Sequence, residues 1–210
     1  METDEEKMKV MVILAHPHPG RESFNHAIAE TAVKTLEKNG HTVFFHDLYR
    51  ENFNPLIPHG EIPDSAELPA EIEQHCSEIS SAEGIIIIHP NWWGQPPAIM
   101  KGWVDRIIRP NVAYKFLEGD SGEGIPIGLL KAKAALVFNT GNTSGEREMK
   151  LFGDPLETLW KNCIFHFCGV KEFHRRMFGV VITSTLDERK RWLAEVEQTV
   201  NEYFPHCLDD

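Results

Sequence analysis

Apolar residues recur along the chain in two patterns, short β-branched runs and longer stretches with helical spacing. Five short runs are typical of strands, and they lie at residues 10–14, 42–46, 84–88, 134–139 and 171–181. Five longer stretches have apolar residues at helical spacing, and they lie at residues 23–38, 69–80, 97–108, 154–168 and 187–203. Strands and helices that alternate in this way build a parallel sheet, because right-handed crossovers leave few other arrangements. The pattern therefore predicts an α/β fold.

The predicted fold is a flavodoxin-like three-layer sandwich, in which a five-stranded parallel sheet has helices on both faces. The run at residues 84–88 is apolar throughout and indicates a strand buried on both sides. Polar loops follow the first, third and fourth strands, which suits the flavodoxin-like strand order better than the six-stranded dinucleotide fold. Longer loops are predicted at residues 49–68 and 111–130. No linker or repeat divides the 210 residues, so we expect one domain in which residues 1–8 are flexible.

The charge balance is acidic, with 21 Lys and Arg residues against 32 Asp and Glu residues and a formal net charge of −11. This balance argues against nucleic acid or an anionic membrane as the main partner. The first residues lack the apolar core of a signal peptide, and no apolar run reaches the roughly 18 residues of a membrane span. A cytoplasmic protein is expected. The four cysteines show no CxxC spacing, which favours reduced thiols.

The loop after the first predicted strand has the chemistry of a phosphate site. His16, Arg21, Ser23 and Asn25 offer donors, and a helix beginning near Ser23 adds unpaired N–H groups. Neither GxGxxG nor GxxxxGK[ST] occurs here, which argues against a standard dinucleotide or nucleoside triphosphate site. The alternative is that Ser23 only caps the helix. His16 and His18 lack a third convergent ligand, so no metal site is predicted.

The loop after the third strand contains the largest aromatic side chains near any strand end. Pro90, Asn91, Trp92 and Trp93 follow the buried run, at the sheet edge where open α/β folds bind ligands. A tryptophan pair in a Pro- and Gly-rich loop suits a flat aromatic ligand. The alternative interpretation is that the tryptophans cap the hydrophobic core.

The loop after the fourth strand is built from small polar residues. Asn139, Thr140, Gly141 and Asn142 permit close backbone approach, and their amides and hydroxyls suit the polar edge of an isoalloxazine. Alone this composition is also typical of a plain turn. Three such loops at three strand ends together favour a ligand site.

The motifs of these loops, with others between them, resemble the NAD(P)H:quinone oxidoreductase family. That family is also called DT-diaphorase, or the flavodoxin-like-fold NAD(P)H dehydrogenases. The resemblance runs from about Val10 to Val196 in unchanged order, and its residues are His16, Ser23-Phe24-Asn25, Asp47-Leu48-Tyr49, Phe53-Asn54-Pro55, Pro90, Trp93, Pro97-Ala98-Ile99, Lys101-Gly102-Trp103, Thr140-Gly141 and His166-Phe167-Cys168-Gly169.

The resemblance implies a homodimer with non-covalent flavin in two sites that both subunits line. NAD(P)H would deliver a hydride to the flavin N5 and leave, and a quinone or related acceptor would then take two electrons in a ping-pong cycle. The resemblance favours FAD, with FMN as the alternative.

The resemblance also implies roles for particular residues. Those matching the phosphate region are His16, Ser23, Phe24 and Asn25. Those beside the isoalloxazine are Pro90, Asn91, Trp92 and Trp93, and those at its polar edge are Asn139, Thr140, Gly141 and Asn142. Asp105 and Arg189 match residues that contact the adenine half of FAD, although a surface pair is the alternative.

The chain departs from the mammalian members at two positions after the third ligand loop. Phe152 stands where those members have a histidine, and Glu146 or Arg147 stands near the place of a tyrosine. Arg147 is the candidate for stabilising the N1–C2=O anion instead. Tyr114 matches a tyrosine at the mouth of the substrate pocket, whereas Phe116 replaces a second one.

Two other functional classes stay open at this point. One is a flavin-binding, redox-sensing regulatory subunit of a membrane transporter. The other is a flavodoxin-type electron carrier. No convincing Ser-His-Asp, Cys-His or paired-carboxylate arrangement is visible in the sequence, and flavin chemistry requires none.

Overall fold

A computed structural model describes residues 6–18, 23–63, 66–117, 119 and 124–207. Its strands are β1 (Lys9–Leu14), β2 (Thr42–Asp47), β3 (Gly84–Pro90), β4 (Tyr114–Lys115), β5 (Ile127–Gly128), β6 (Ala134–Thr140) and β7 (Glu172–Phe178). Five of them form a parallel sheet in the order β2-β1-β3-β6-β7. The predicted fold class and the flavodoxin-like strand order are therefore confirmed.

The predicted loop at residues 111–130 contains a short antiparallel pair that the sequence analysis did not predict. Strands β4 and β5 pair there, with Tyr114 opposite Gly128. Two-residue strands carry too little pattern to show periodicity, so pairing in three dimensions decides their structure.

The helices are α1 (Phe24–Lys38), α2 (Ala70–Ser81), α3 (Ala98–Ile107), α4 (Gly145–Arg147), α5 (Pro155–Glu157) and α6 (Leu186–Tyr203). Helix α4 continues as wider π-type turns over Glu148–Phe152, and α5 continues in the same way over Thr158–His166. The turn at α4 was not predicted, although Ser144 caps it by accepting a hydrogen bond from the Arg147 amide. None of the described helices combines the length and apolarity needed to cross a membrane.

The core lies on both faces of the sheet, and strand β3 shows why. Ile85 and Ile87 point to the cluster that contains Trp103, whereas Ile86 and Ile88 point to the opposite cluster. Alternation with a period of two residues therefore places an apolar run against helices on both sides. Met8, which was grouped with the flexible start, is buried, and its amide donates to His41 Nδ1 over 3.3 Å.

A buried ion pair holds the long loop at residues 49–68 against helix α3. Arg106 and Glu61 are 3% and 4% exposed, and Arg106 Nε donates to Glu61 Oε2 over 3.0 Å. Arg106 Nη1 also donates to the Asn54 carbonyl over 2.6 Å. The loop approaches the helix closely at Gly102, where an added Cβ would lie 2.2 Å from the Pro55 carbonyl oxygen.

We predict that Arg106→Met lowers the free energy of unfolding by about 3–5 kcal/mol, because it leaves the Glu61 carboxylate buried without its partner. The matched control is Lys101→Met on the same helix. Lys101 pairs with Asp105 at side chains that are 52% and 45% exposed, so its loss should cost under about 1 kcal/mol. Urea unfolding of the three proteins measures both values. Equal losses for the two variants would contradict the prediction.

Candidate functional site

The residues that follow β1, β3 and β6 line one cavity of ≈ 1140 Å³ at the carboxyl edge of the sheet. Small-molecule sites commonly enclose roughly 300–1,000 Å³, so this volume suits a large ligand. The cavity collects all but three of the predicted site residues. Those that line it are His16, Ser23, Phe24, Asn25, Pro90, Asn91, Trp92, Trp93, Thr140, Gly141, Asn142, Arg147 and Arg189.

Ser23 marks the beginning of helix α1 at the cavity wall. Its Oγ accepts a hydrogen bond from the His26 amide over 3.3 Å, so the capping interpretation holds. The same serine also lines the cavity, so the two interpretations describe one residue. A helix start presents unpaired N–H groups and a partial positive charge, which suit a phosphate. Arg21, the other predicted donor here, lies outside the described residues.

Asn25 connects the first ligand loop to the third. Its Nδ2 donates to Thr140 Oγ1 over 2.9 Å, and the residue is 3% exposed. Its Oδ1 has no hydrogen-bond partner among the described residues. A buried acceptor without a donor is unfavourable, so this atom suits a ligand that supplies a hydroxyl or N–H group.

Behind Ser23 lies a chain of polar contacts, through His26 to Asp47, that sequence reasoning did not predict. The Ser23 hydroxyl lies 2.6 Å from His26 Nδ1, and His26 Nε2 lies 3.4 Å from Asp47 Oδ2. The His16 ring meets the His26 ring edge-on at 5.7 Å, and burial lowers the pKa of His16. Because the Ser23 oxygen also caps α1, the arrangement orients a hydroxyl at the helix start. Asp47 is the last residue of β2, and the parallel pairing of β2 with β1 places it opposite Leu14, so no local spacing could reveal its contact with His26.

The tryptophan loop is a tight turn held by hydrogen bonds. Trp92 and Gln95 exchange backbone hydrogen bonds of 3.0 Å, and Asn91 Oδ1 accepts from the Gly94 amide over 2.9 Å. Trp93 has a φ of 58°, a left-handed conformation that is strained for a bulky residue. Trp93 is 101% exposed and Trp92 is 42% exposed. The alternative that these tryptophans cap the core is therefore wrong.

His89 supports this loop from inside the protein, and the sequence analysis assigned it no role. Its ring is fully buried, with Nε2 accepting from Trp160 Nε1 over 3.0 Å and Nδ1 donating to the Pro90 carbonyl over 2.8 Å. Burial, and to a smaller extent Arg175, lowers the pKa of His89 to about 4. The imidazole is thus neutral, and its two partners define its tautomer.

The third ligand loop is tied to the segment that carries Arg189. The Gly141 amide donates to the Phe178 carbonyl, and Asn142 Oδ1 accepts from the Ile182 amide over 3.0 Å. Arg189 Nη2 donates to the Val181 carbonyl over 3.1 Å. The guanidinium is therefore positioned at the wall of the cavity rather than free in solvent.

The turn after Ser144 adds residues of mixed character to the cavity. Arg147 and Phe152 line it and are exposed. Glu148 also lines it but is buried, and its carboxylate accepts hydrogen bonds from Asn91 Nδ2 over 3.2 Å and from the Thr143 hydroxyl. Sequence reasoning missed Glu148 because it lies in a charged run. The capping residue Ser144 was the signal that a helical turn follows. In a helical turn, one side chain of such a run points inward.

Three predicted site residues are not brought into the cavity of this chain. Asn139 is completely buried beneath it and accepts a hydrogen bond from Arg175 Nη1 over 2.9 Å. Asp105 is exposed and pairs with Lys101, which matches the alternative interpretation of a surface pair. Tyr114 packs its ring against Phe116 and Phe167 at 5.8 and 5.2 Å. The direction in which each strand or helix points its side chains explains these placements.

One group of side chains outside the cavity has the composition of a metal site. Ligand atoms of His46, Glu51 and His75 lie within 4.8 Å of one another. Trp103 Nε1, however, donates to His75 Nδ1 over 3.1 Å, so neutral His75 carries its proton on Nε2, which faces Glu51. Burial lowers the pKa of His46, but hydrogen bonds to Glu51 and Glu78 outweigh it and raise that pKa. The geometry thus describes an ion-pair cluster, and the expectation of no metal stays a prediction.

Comparisons with known proteins agree with this architecture. The family model Flavodoxin_2, described as the flavodoxin-like fold, matches residues 8–202. The chain is 35% identical over 188 residues to an uncharacterized NAD(P)H oxidoreductase of Haemophilus influenzae, covering 88% of this chain and 89% of that protein. It is 30% identical over 227 residues to ribosyldihydronicotinamide dehydrogenase (quinone) of Mus musculus, covering 95% of each. An NAD(P)H:quinone oxidoreductase structure from Methanothermobacter marburgensis matches with a TM-score of 0.79 at 24% identity, covering 94% and 97%.

The fold and the relatives together define a flavodoxin-like protein, and the structure shows a cavity at the carboxyl edge of its sheet. The chain belongs to the NAD(P)H:quinone oxidoreductase family. The prediction of an oxidoreductase is confirmed.

The buried His89 predicts a pH dependence of stability. Its pKa is about 4 when folded and about 6.5 when unfolded, so only the unfolded state binds this proton between those values. Stability should therefore fall as the pH falls from about 6.5 to about 4, by about 3 kcal/mol from this group. In His89→Gln, whose amide has both a donor and an acceptor, that part of the pH dependence should disappear. Urea unfolding from pH 7 to pH 4 measures it, with exposed His59→Gln as the control; parallel curves for wild type and His89→Gln would contradict the assignment.

Proposed function

We propose that this protein is a flavin-dependent NAD(P)H oxidoreductase that reduces quinones or related acceptors by two electrons. The observation that carries the proposal is a cavity in which three features meet: a helix start, an Asn25 oxygen that no described residue pairs with, and an exposed tryptophan pair. The names of the relatives support the same class of reaction, because one is a quinone-dependent dehydrogenase of a reduced nicotinamide.

The residues fit a flavin along the length of the cavity. The start of α1 with Ser23 would hold the phosphate, and the Asn25 oxygen would accept from a ribityl hydroxyl. Trp92 and Trp93 would face the flat ring, whose polar edge would meet the loop of Thr140 and Gly141. A bound flavin takes a hydride from the nicotinamide and passes two electrons to the acceptor.

The protein's own contribution is binding, orientation and electrostatics. Arg147 and Arg189 place positive side chains at the wall of the cavity in a chain of net charge −11, so anionic ligands are attracted locally. The tryptophan pair offers a stacking surface that one chain leaves in water. Nicotinamide and quinone would use the same ring face in turn, and ping-pong kinetics would follow.

We infer that a homodimer completes the site and that the flavin is FAD, with FMN as the alternative. Asp105 and Tyr114 lie outside the cavity of their own chain, so a second copy is needed to bring them to the ligand. Exposed apolar side chains near Tyr114 support such a contact. Phe167, whose ring packs against Tyr114, is 40% exposed, and Ile127 on the paired strand is 43% exposed.

The proposed function is tested by the spectrum of the purified protein and by chromatography of the released cofactor. Released flavin, followed by parallel double-reciprocal lines in NADH- or NADPH-dependent quinone reduction, is the expected result. A protein that neither retains nor binds FAD or FMN would show that the proposal is wrong. Sedimentation of the protein with and without flavin measures the oligomeric state.

The phosphate position predicts a charge effect at Ser23. Asp and Asn both cap helices well, so Ser23→Asp and Ser23→Asn should keep α1 while differing in charge. Ser23→Asp should weaken FMN binding by about a hundredfold through repulsion of the phosphate, and Ser23→Asn by under about tenfold. Fluorescence titration measures both, and riboflavin, which lacks the phosphate, is the control ligand. Equal weakening of FMN and riboflavin by Ser23→Asp would place the phosphate elsewhere.

The predicted adenine contact gives a second test at Arg189. The substitution Arg189→Ala should weaken FAD binding by about tenfold and leave FMN binding nearly unchanged, since FMN has no adenine half. Arg191→Ala is the matched control, because Arg191 is exposed on the same helix and does not line the cavity. Competition between FAD and FMN measures the preference. Equal losses for both flavins would remove Arg189 from the adenine site.

A further inference from the structure

Glu148 is a buried acidic residue in the cavity that none of the proposed cofactor contacts uses. It is 5% exposed, yet it lines the cavity together with Arg147 and Phe152. In the part of the chain that the structure describes, no ion pair includes Glu148. A buried charge without a counter-charge is unfavourable unless hydrogen bonds compensate it, so its partners decide its role.

The two described partners of Glu148 come from two different ligand loops. Asn91 Nδ2 donates to Oε2 over 3.2 Å, and the Thr143 hydroxyl donates to Oε1. Asn91 in turn accepts from the Gly94 amide, in the turn that carries the exposed tryptophans. The carboxylate thus joins the tryptophan loop to the loop after β6. Both of its oxygens act as acceptors, as in an ionised carboxylate.

A carboxylate offers about four acceptor positions, and the described donors use two of them. Glu148 lines the cavity and joins two loops, the tryptophan loop assigned to the flat face of the ring and the loop after β6 assigned to its polar edge. Its remaining acceptor positions therefore belong to the cavity wall between these loops. A flavin presents an N–H group at that edge. Oxidised flavin is neutral in its ring, and the gain of two electrons and one proton gives the reduced ring one negative charge.

We propose that Glu148 is the positioning residue for the polar edge of the flavin, accepting its N–H group and opposing negative charge on the reduced ring. This rests on the proposed function. Repulsion between two like charges in a partly desolvated site weakens the binding of reduced flavin relative to oxidised flavin. Glu148 therefore makes the bound flavin a stronger hydride donor toward its acceptor, and Arg147 on the same turn acts in the opposite direction.

The test is the reduction potential of the FMN complex, measured by equilibration with a reference dye during reduction. Glu148→Gln keeps the shape and removes the charge, so the affinity for reduced relative to oxidised FMN should rise at least about tenfold. That change equals a potential about 30 mV less negative for a two-electron couple. Glu148→Asp, which keeps the charge, should stay closer to wild type. Glu146→Gln is the matched control, because Glu146 is exposed and does not line the cavity.

If Glu148→Gln does not fold, Glu148→Asn gives the same test. It also removes the charge and keeps an amide acceptor, so the potential should again become less negative. An unchanged potential in Glu148→Gln with FMN bound, or in Glu148→Asn where that variant is needed, would overturn the role of Glu148 and leave the proposed function intact. A wild-type protein that binds no flavin would overturn both.

Discussion

The rest of the structure depends on the burial of a parallel sheet on both of its faces. Strand β3 lies in the middle of that sheet, and its isoleucines are inaccessible to solvent on either side. Polar side chains are excluded from the middle of such a strand, because unsatisfied polar groups in an apolar core are strongly unfavourable. Reactive and binding side chains are therefore confined to the strand ends, and parallel strands bring their carboxyl ends to one edge. Three separate loops therefore meet in one cavity.

Where polar groups do enter the interior, most of them are satisfied by hydrogen bonds, many to distant segments. Arg175 on β7 donates to Glu157 and Asn139, and it also pairs with Asp154. His89 is held between Trp160 and the Pro90 carbonyl. His89 and Asn139 immediately precede Pro90 and Thr140, which line the cavity, so the hydrogen bonds that stabilise the interior also support the ligand loops.

Three buried side-chain atoms lack a hydrogen-bond partner among the described residues. One, Arg109 Nη1, lies just after helix α3 and does not line the cavity, whereas the other two belong to segments that do. Asn25 Oδ1 and Asn139 Nδ2 have no partner among the described residues, and Asn25 lines the cavity itself. The Trp93 backbone is strained and its ring is exposed, although exposed aromatic surface is unfavourable in water. Such local departures from stability concentrate at functional sites, where a ligand completes the missing contacts.

The sequence by itself determined the layers of the fold, the strand-end loops and the residue types that line the cavity. It could do so because hydrophobic periodicity, helix caps and the common edge of parallel strands are local properties or follow directly from topology. The sequence also carried the family, since its motifs occur in unchanged order.

Only the tertiary structure decided which polar side chains meet. Glu148 meets Asn91 across 57 positions, and Arg106 meets Glu61 across 45 positions, distances at which spacing along the chain has no meaning. It also turned Asp105 and Tyr114 away from the cavity of their own chain, because a helix or strand fixes the direction of every side chain relative to the sheet. Pattern locates a site along the sequence, but the packing of helices and strands selects the atoms that face it.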